Sequence, residues 1–167
     1  LHPYFNGERT PNYPCGKGTL IGLDKDNMKE SHISRSAMES AIFSLKIGSD
    51  TFKEKGYDVK EIRLIGGGAN SRVWRAMCAD IFNAKVVIPI VKEAAAFGAA
   101  LQALWAFNIH NKNTITIEEI VDNHVRVDEE NLYEPDPNRV IEYETAYKRF
   151  VGYMNGVSDM FSRPMNF

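Results

Sequence analysis

An α/β fold with a short parallel strand pair is predicted from three features of the 167-residue chain. Ile62, Leu64 and Ile65 have the β-branched, apolar character of a buried strand, and KVVIPI at 85–90 has it again. Between them Val73, Trp74, Met77, Cys78, Ile81 and Phe82 recur at helical spacing, with Arg72, Arg75 and Asp80 off that face. Strand, helix and strand within about 30 residues is the pattern of a parallel pair joined by a crossover helix. Pro89 cannot donate to a ladder, so it is expected at the strand's end or on an edge.

In chain order, residues 1–18 carry three prolines and three glycines and are expected to be irregular and surface-lying, with Glu8 and Arg9 a solvated pair. The opening has no initiator Met and no signal-peptide pattern, and it reads as the middle of a longer chain. An extended run at 19–23 and a polar turn at 24–29 follow. A long helix is predicted over 31–55, with Ile33, Ala37, Met38, Ala41, Ile42, Leu45, Ser49 and Phe52 near one stripe. Gly48 inside it predicts close packing against another element. Past the second strand, EAAAFGAALQALWAF at 93–107 is apolar all round and too short to span a bilayer, so it is expected as a buried core helix. A short helix over 116–121 has Glu118 and Glu119 in its first turn. The acidic stretch 126–137, ending in Pro-Asp-Pro, reads as a linker. A terminal amphipathic helix over 138–161 carries a seam of Val140, Tyr143, Tyr147, Phe150, Met154, Val157 and Phe161, to pack on the domain or on another chain.

The link between the first strand and its helix is the candidate site. Gly66, Gly67 and Gly68 remove every Cβ where the chain must turn, and Asn70 and Ser71 are good N-cap types where the helix begins. A strand, a glycine turn and a helix N-terminus make a place where a nucleotide can lie against bare backbone. A tight strand-to-helix connection with a capped helix accounts for the same residues.

Composition narrows the classes. Hydrophobic residues are 44% and charged residues 25%, as in a globular protein, and the net charge of −2 argues against nucleic acid or anionic membrane as partners. Cys15 and Cys78 form no CxxC and suggest a reducing, cytoplasmic setting. No GxSxG, HExxH or paired Cys/His set is present, His32, His110 and His124 lack partners at ligand spacing, and Asp24, Asp80 and Asp122 read as plain turn or helix aspartates. No catalytic or metal residue is therefore assigned. Gly66-x-Gly68-x-x-Ser71 falls short of the dinucleotide fingerprint: its third glycine is Ser, and no acidic residue ends the next strand.

The segment LIGGGANSRVWRAMCADIFNAKVVIPIVKEAAAFGAALQALW resembles the C-terminal domain of the FGGY carbohydrate kinases, most closely the members that act on xylulose. The opening PYFNGERTPNYP, the segment KGTLIGL at 17–23 and the helix after Ser31 fit the same region in the same order. GERTP, GGGANSxxW and EAAAFGAA carry the likeness together. It covers about residues 3–108, and the tyrosine-rich last helix also fits.

The resemblance implies an actin-like (ribonuclease-H-like) ATPase fold, of which residues 1–167 would be part of the C-terminal, adenosine-binding domain. It implies ATP in a cleft between two domains, Mg²⁺ on its phosphates, and a carboxylate base that frees a sugar hydroxyl to attack the γ-phosphorus. The reaction implied is D-xylulose to D-xylulose 5-phosphate. Alternatives are a kinase for gluconate, glycerol or ribulose, or a non-catalytic actin-like nucleotide-binding module. The family's adenosine motif falls on Gly66, Gly67 and Gly68, with Asn70 or Ser71 available to the base or ribose. The general-base Asp, the sugar-binding residues and three antiparallel strands would lie upstream of Leu1. The chain alone is thus expected to be inactive, with a bare sheet edge or the terminal helix open to a second copy.

Overall fold

The structure, a computed structural model, describes residues 1–161. Five α-helices and three strands follow one another as α1 (Glu30–Glu54), β1 (Glu61–Arg63), α2 (Arg72–Phe82), β2 (Lys85–Pro89), α3 (Ala94–His110), α4 (Ile117–His124), β3 (Val127–Tyr133) and α5 (Pro137–Ser158). β1 and β2 pair in parallel, Ile62 opposite Val86, with α2 as their crossover. β2 is the middle strand of the order β1-β2-β3, and Val86 and Val87 are both buried, so both of its faces are covered. Pro89 is its last residue, where a missing N–H does least harm.

β3 is an addition to the predicted pair. It runs antiparallel to β2, Val86 opposite Tyr133 and Ile88 opposite Asp128, through the acidic stretch that reads as a linker. An edge strand tolerates Asp128, Glu129 and Glu130 because one side of it faces water, so charge hides it from composition. Pro135-Asp-Pro137 is likewise a helix start. The Asp136 carboxylate accepts from the N–H groups of Asn138 (2.9 Å) and Arg139 (3.5 Å), with Pro137 in the first turn.

α2 lies between the sheet and α1 and α5. Met77, Cys78, Ala79 and Ile81 are buried there, and the α5 seam from Tyr143 to Phe161 packs against the same core. The seam therefore meets the body of the domain. Burial pushes the Cys78 thiol up to about 11, and both cysteines are free.

Arg75 and Asp80, placed off the apolar face by spacing, are both buried, because α2 is covered on more than one side. The Arg75 guanidinium lies 5.1 Å from the centre of the Tyr133 ring. Asp80 accepts from the Asp136 N–H (2.9 Å) and faces Arg139 at 3.8 Å. This aspartate ties the start of α5 to α2 and is no plain helix residue.

The first 18 residues are irregular but not confined to the surface. His2, Tyr4 and Tyr13 are buried, because their rings fill the space over α5. The Nε2–H of His2 donates to the Phe150 carbonyl (3.1 Å), and the Tyr4 hydroxyl donates to Met154 Sδ (3.6 Å). Prolines and glycines fix the path of this strap, and its aromatic rings anchor it.

Two further expectations fail. A Cβ at Gly48 would meet nothing within 4 Å, so that glycine marks no close approach. α3 forms as a helix but is not a core helix: only Leu101 is buried, and Phe107 is 66% exposed beside exposed Trp105 and Ile109. Among the described residues α3 packs on α4, and most of its remaining circumference is exposed. An all-round apolar pattern reports what a helix can bury, and neighbours decide what it does bury.

Removing the Asp80 acceptor would take away the part-buried hydrogen bond that holds the Asp136 N–H at the start of α5. Asp80→Ala is expected to lower unfolding free energy by about 1–3 kcal/mol, and Asp80→Asn by less. Equal effects in urea titrations would contradict the role of Asp80 as the acceptor that ties α5 to α2.

α1 and α5 are joined by the Tyr147 hydroxyl, which donates to Asp50 Oδ2 at 2.6 Å. Burial, and then Asp50 beside it, raises the Tyr147 pKa well above the ordinary tyrosine value. Burial also raises Tyr4, Tyr13 and Tyr143. The unfolded chain ionises first, near pH ~10, so this stabilisation is complete below that pH and falls away above it. Unfolding midpoints should decline above pH ~10 less steeply in Tyr147→Phe than in the parent. Identical slopes would remove Tyr147 from the account.

Candidate functional site

β1 ends at Arg63, and the chain then turns through Leu64 and Ile65 into a 3₁₀ turn over Gly67–Asn70 that leads directly to α2. The Leu64 N–H still donates to Val87 of β2 (3.0 Å), which keeps the turn registered to the sheet. Ser71 is the helix N-cap, its hydroxyl accepting from the Trp74 N–H at 3.3 Å.

The three glycines answer three different needs. Gly66 has φ +79°, a left-handed conformation that side chains other than glycine's rarely take. A Cβ at Gly68 would come within 2.8 Å of Trp74 Nε1, so Trp74 packing requires that glycine. A Cβ at Gly67 would meet nothing within 4 Å, and its φ lies outside the left-handed range. Nothing among the described residues requires Gly67 to be bare.

Gly67 borders a pocket of about 270 Å³. The residues that follow β1 form one side: Leu64, Ile65, Gly66, Gly67, Ala69 and Asn70. The end of β2 and the link to α3 form the other, through Ile88, Pro89, Lys92 and Glu93. It is thus a crevice outside the carboxyl ends of two parallel strands, with apolar walls, a bare-backbone floor and a few polar groups. Such crevices are favoured ligand sites in α/β sheets. Its volume sits near the lower end of ligand pockets, roughly 300–1,000 Å³, which suits one end of a nucleotide better than a whole one.

Of the residues predicted for the site, Gly66, Gly67 and Asn70 border the pocket, while Gly68 and Ser71 serve the turn and the helix cap. Ile88, Pro89, Lys92 and Glu93 were not predicted. The signal that could have found them is the parallel pair itself, which brings the ends of both strands to the same side.

A second cleft, about 240 Å³, opens between the first residues, α1 and α5, with His2, Ser40, Arg149 and Tyr153 on its walls. Volume does not separate the two. The glycine crevice is favoured because it lies at the ends of two parallel strands, with Gly66 and Gly67 on its border. Among the described residues no three His, Cys, Asp or Glu side chains gather as a metal set, and the glycine crevice has one carboxylate, Glu93. It can hold a ligand, but no nucleophile and base meet in it.

Residues 1–107 match the model of the FGGY family of carbohydrate kinases, C-terminal domain. The chain is 39% identical over 92% of its length to the xylulose kinase of Haemophilus influenzae, of which it spans 30%. Its fold is similar to that of gluconate kinase from Lactobacillus acidophilus, with TM-score 0.82 and 22% identity over 96% of this chain and 31% of that one. It is also similar to glycerol kinase from Plasmodium falciparum with ADP, with TM-score 0.70 and 20% identity over 98% and 30% of the two chains. The fold is that of part of an actin-like ATPase domain, a small mixed sheet with helices around it. With most of its length, including the whole of the glycine turn, inside the matched region, the chain belongs to the FGGY family of carbohydrate kinases.

Proposed function

We propose that this chain supplies the adenosine side of the ATP site of a sugar kinase, and that the sugar is D-xylulose. Gly67 carries the reading: no neighbour among the described residues needs it bare, and it borders a crevice with apolar walls that would suit a flat apolar group. Leu64, Ile65, Ile88 and Pro89 would hold the two faces of adenine, and Asn70, whose amide has no partner among the described residues, has both a donor and an acceptor for its edge. Gly68 and Ser71 would act indirectly, by fixing the turn. The relative solved with ADP shares this fold, which supports a nucleotide as the ligand class.

Xylulose is proposed because the chain is similar to xylulose kinases, 39% identical to one and 31% to that of Bacillus subtilis. Gluconate is the second reading, favoured by a gluconokinase 38% identical over 64% of the chain. Deprotonation of the sugar and attack on the γ-phosphorus would fall to an Asp and other groups on residues beyond these. Mg²⁺ would neutralise charge on the phosphates. The donors here do not fit it, since Glu93 is the one carboxylate at the crevice, and no step is assigned through the metal. The cytoplasm is the proposed setting. No helix among the described residues is long and apolar enough to cross a membrane.

Calorimetric titration of ADP into the intact protein tests the site. Gly67→Val should weaken binding at least about tenfold with little change in stability, because the added methyl groups point into open space. Gly68→Ala should lower stability first, through its clash with Trp74. Unchanged ADP binding in a folded Gly67→Val protein would move the nucleotide elsewhere. The 167 residues alone should show no sugar-dependent ATP turnover, and turnover would overturn the division of labour.

A further inference from the structure

The crevice has two charged residues that neither the glycine motif nor the fold accounts for. Lys92 and Glu93 stand side by side on the link between β2 and α3, and both border the pocket opposite Gly67. Both are exposed, and among the described residues neither takes part in an ion pair or side-chain hydrogen bond. Glu93 occupies the N-cap position of α3, yet its side chain makes no capping bond. Glutamate is not a favoured N-cap residue, so the helix gives no reason for it. A carboxylate beside an apolar crevice, with no partner among the described residues, is an acceptor for a ligand that brings hydrogen-bond donors.

We infer that Glu93 reads the ribose hydroxyls of the bound nucleotide and makes the crevice selective for ribonucleotides. The inference rests on the reading that this crevice takes adenosine. An ionised carboxylate accepts and cannot donate, and it repels phosphate, so the part of a nucleoside diphosphate it can face is a donor-bearing part without negative charge. Two such parts exist, the vicinal hydroxyls of ribose and the exocyclic amine of adenine. Asn70 comes from the other side of the crevice and offers the paired donor and acceptor that a base edge needs. Glu93 is left to the sugar. Lys92 beside it offsets the carboxylate's charge as the diphosphate approaches. Glu93 is thus a specificity-determining residue, with no part in the chemical step.

Calorimetric titration of the intact protein with ADP, 2′-deoxy-ADP and inosine diphosphate, with thermal unfolding as the check on folding, decides the matter. The parent should bind ADP about tenfold more tightly than 2′-deoxy-ADP, the scale of one charge-assisted hydrogen bond. In Glu93→Ala the ratio should fall to within about twofold of unity, and Glu93→Gln, which keeps a neutral acceptor, should lie between. A ratio unchanged in Glu93→Ala, with Gly67→Val still abolishing ADP binding, overturns the role of Glu93 and leaves the adenosine site in place. Loss of the ADP preference over inosine diphosphate, with the ribose ratio intact, also overturns it by placing Glu93 on the amine. If Gly67→Val leaves all three ligands unaffected, the adenosine reading fails and this inference fails with it.

Discussion

The parallel pairing of β1 with β2 is the constraint from which the rest follows. Two parallel strands need a crossover, and here α2 returns the chain, so that Ile62 lies opposite Val86. Both strands then end on the same side of the sheet. The chain leaves β1 through the glycine turn and leaves β2 through the link to α3, and the space between these exits is the crevice. The crossover is short at both ends. Gly66 at φ +79° turns the chain into α2, and Asn83 at φ 50° turns it out again with its N–H on the Ala79 carbonyl. The proposed nucleotide platform and a compact crossover thus make the same demand on the backbone, so one stretch can answer both.

That platform is only as firm as α2, whose first turn holds Ser71 and Trp74. α2 is fixed from several sides. Apolar packing presses it on α1 and β2, Arg75 stacks on Tyr133 of β3, and Asp80 holds the start of α5. α5 is in turn tied to α1 by Tyr147 and Asp50, and to the first residues by His2 and Tyr4. A binding surface built on rigid elements keeps its geometry better than one on a loop alone. The glycine turn borrows its rigidity from a helix that buries two polar side chains, Arg75 against the Tyr133 ring and Asp80 on the Asp136 N–H.

Much of this was legible in the sequence. Apolar period located α1, α2 and α5, two β-branched runs located the parallel strands, and three adjacent glycines marked the crevice floor. What escaped reading depends on neighbours. Which glycine answers to conformation, to Trp74 or to open space is settled by the Trp74 ring position, and GGG spells all three alike. Tyr4 and Tyr13 sit among prolines and glycines, so composition pointed to the surface, although two large rings are reason enough for burial. α3 erred the other way: its sequence is written for burial, but the described residues offer no surface to enclose it. Lys92 and Glu93 looked like an ordinary charged link until the strand pairing brought them opposite Gly67.

The central claim is that adenosine binds between the two strand exits. Amide hydrogen exchange of the intact protein with and without ADP tests it most directly. The account predicts slowed exchange at two separated segments together, 64–70 and 88–93, with little change around His2 and Arg149. Protection confined to the cleft between α1 and α5, or absent from both strand exits at saturating ADP, would contradict it.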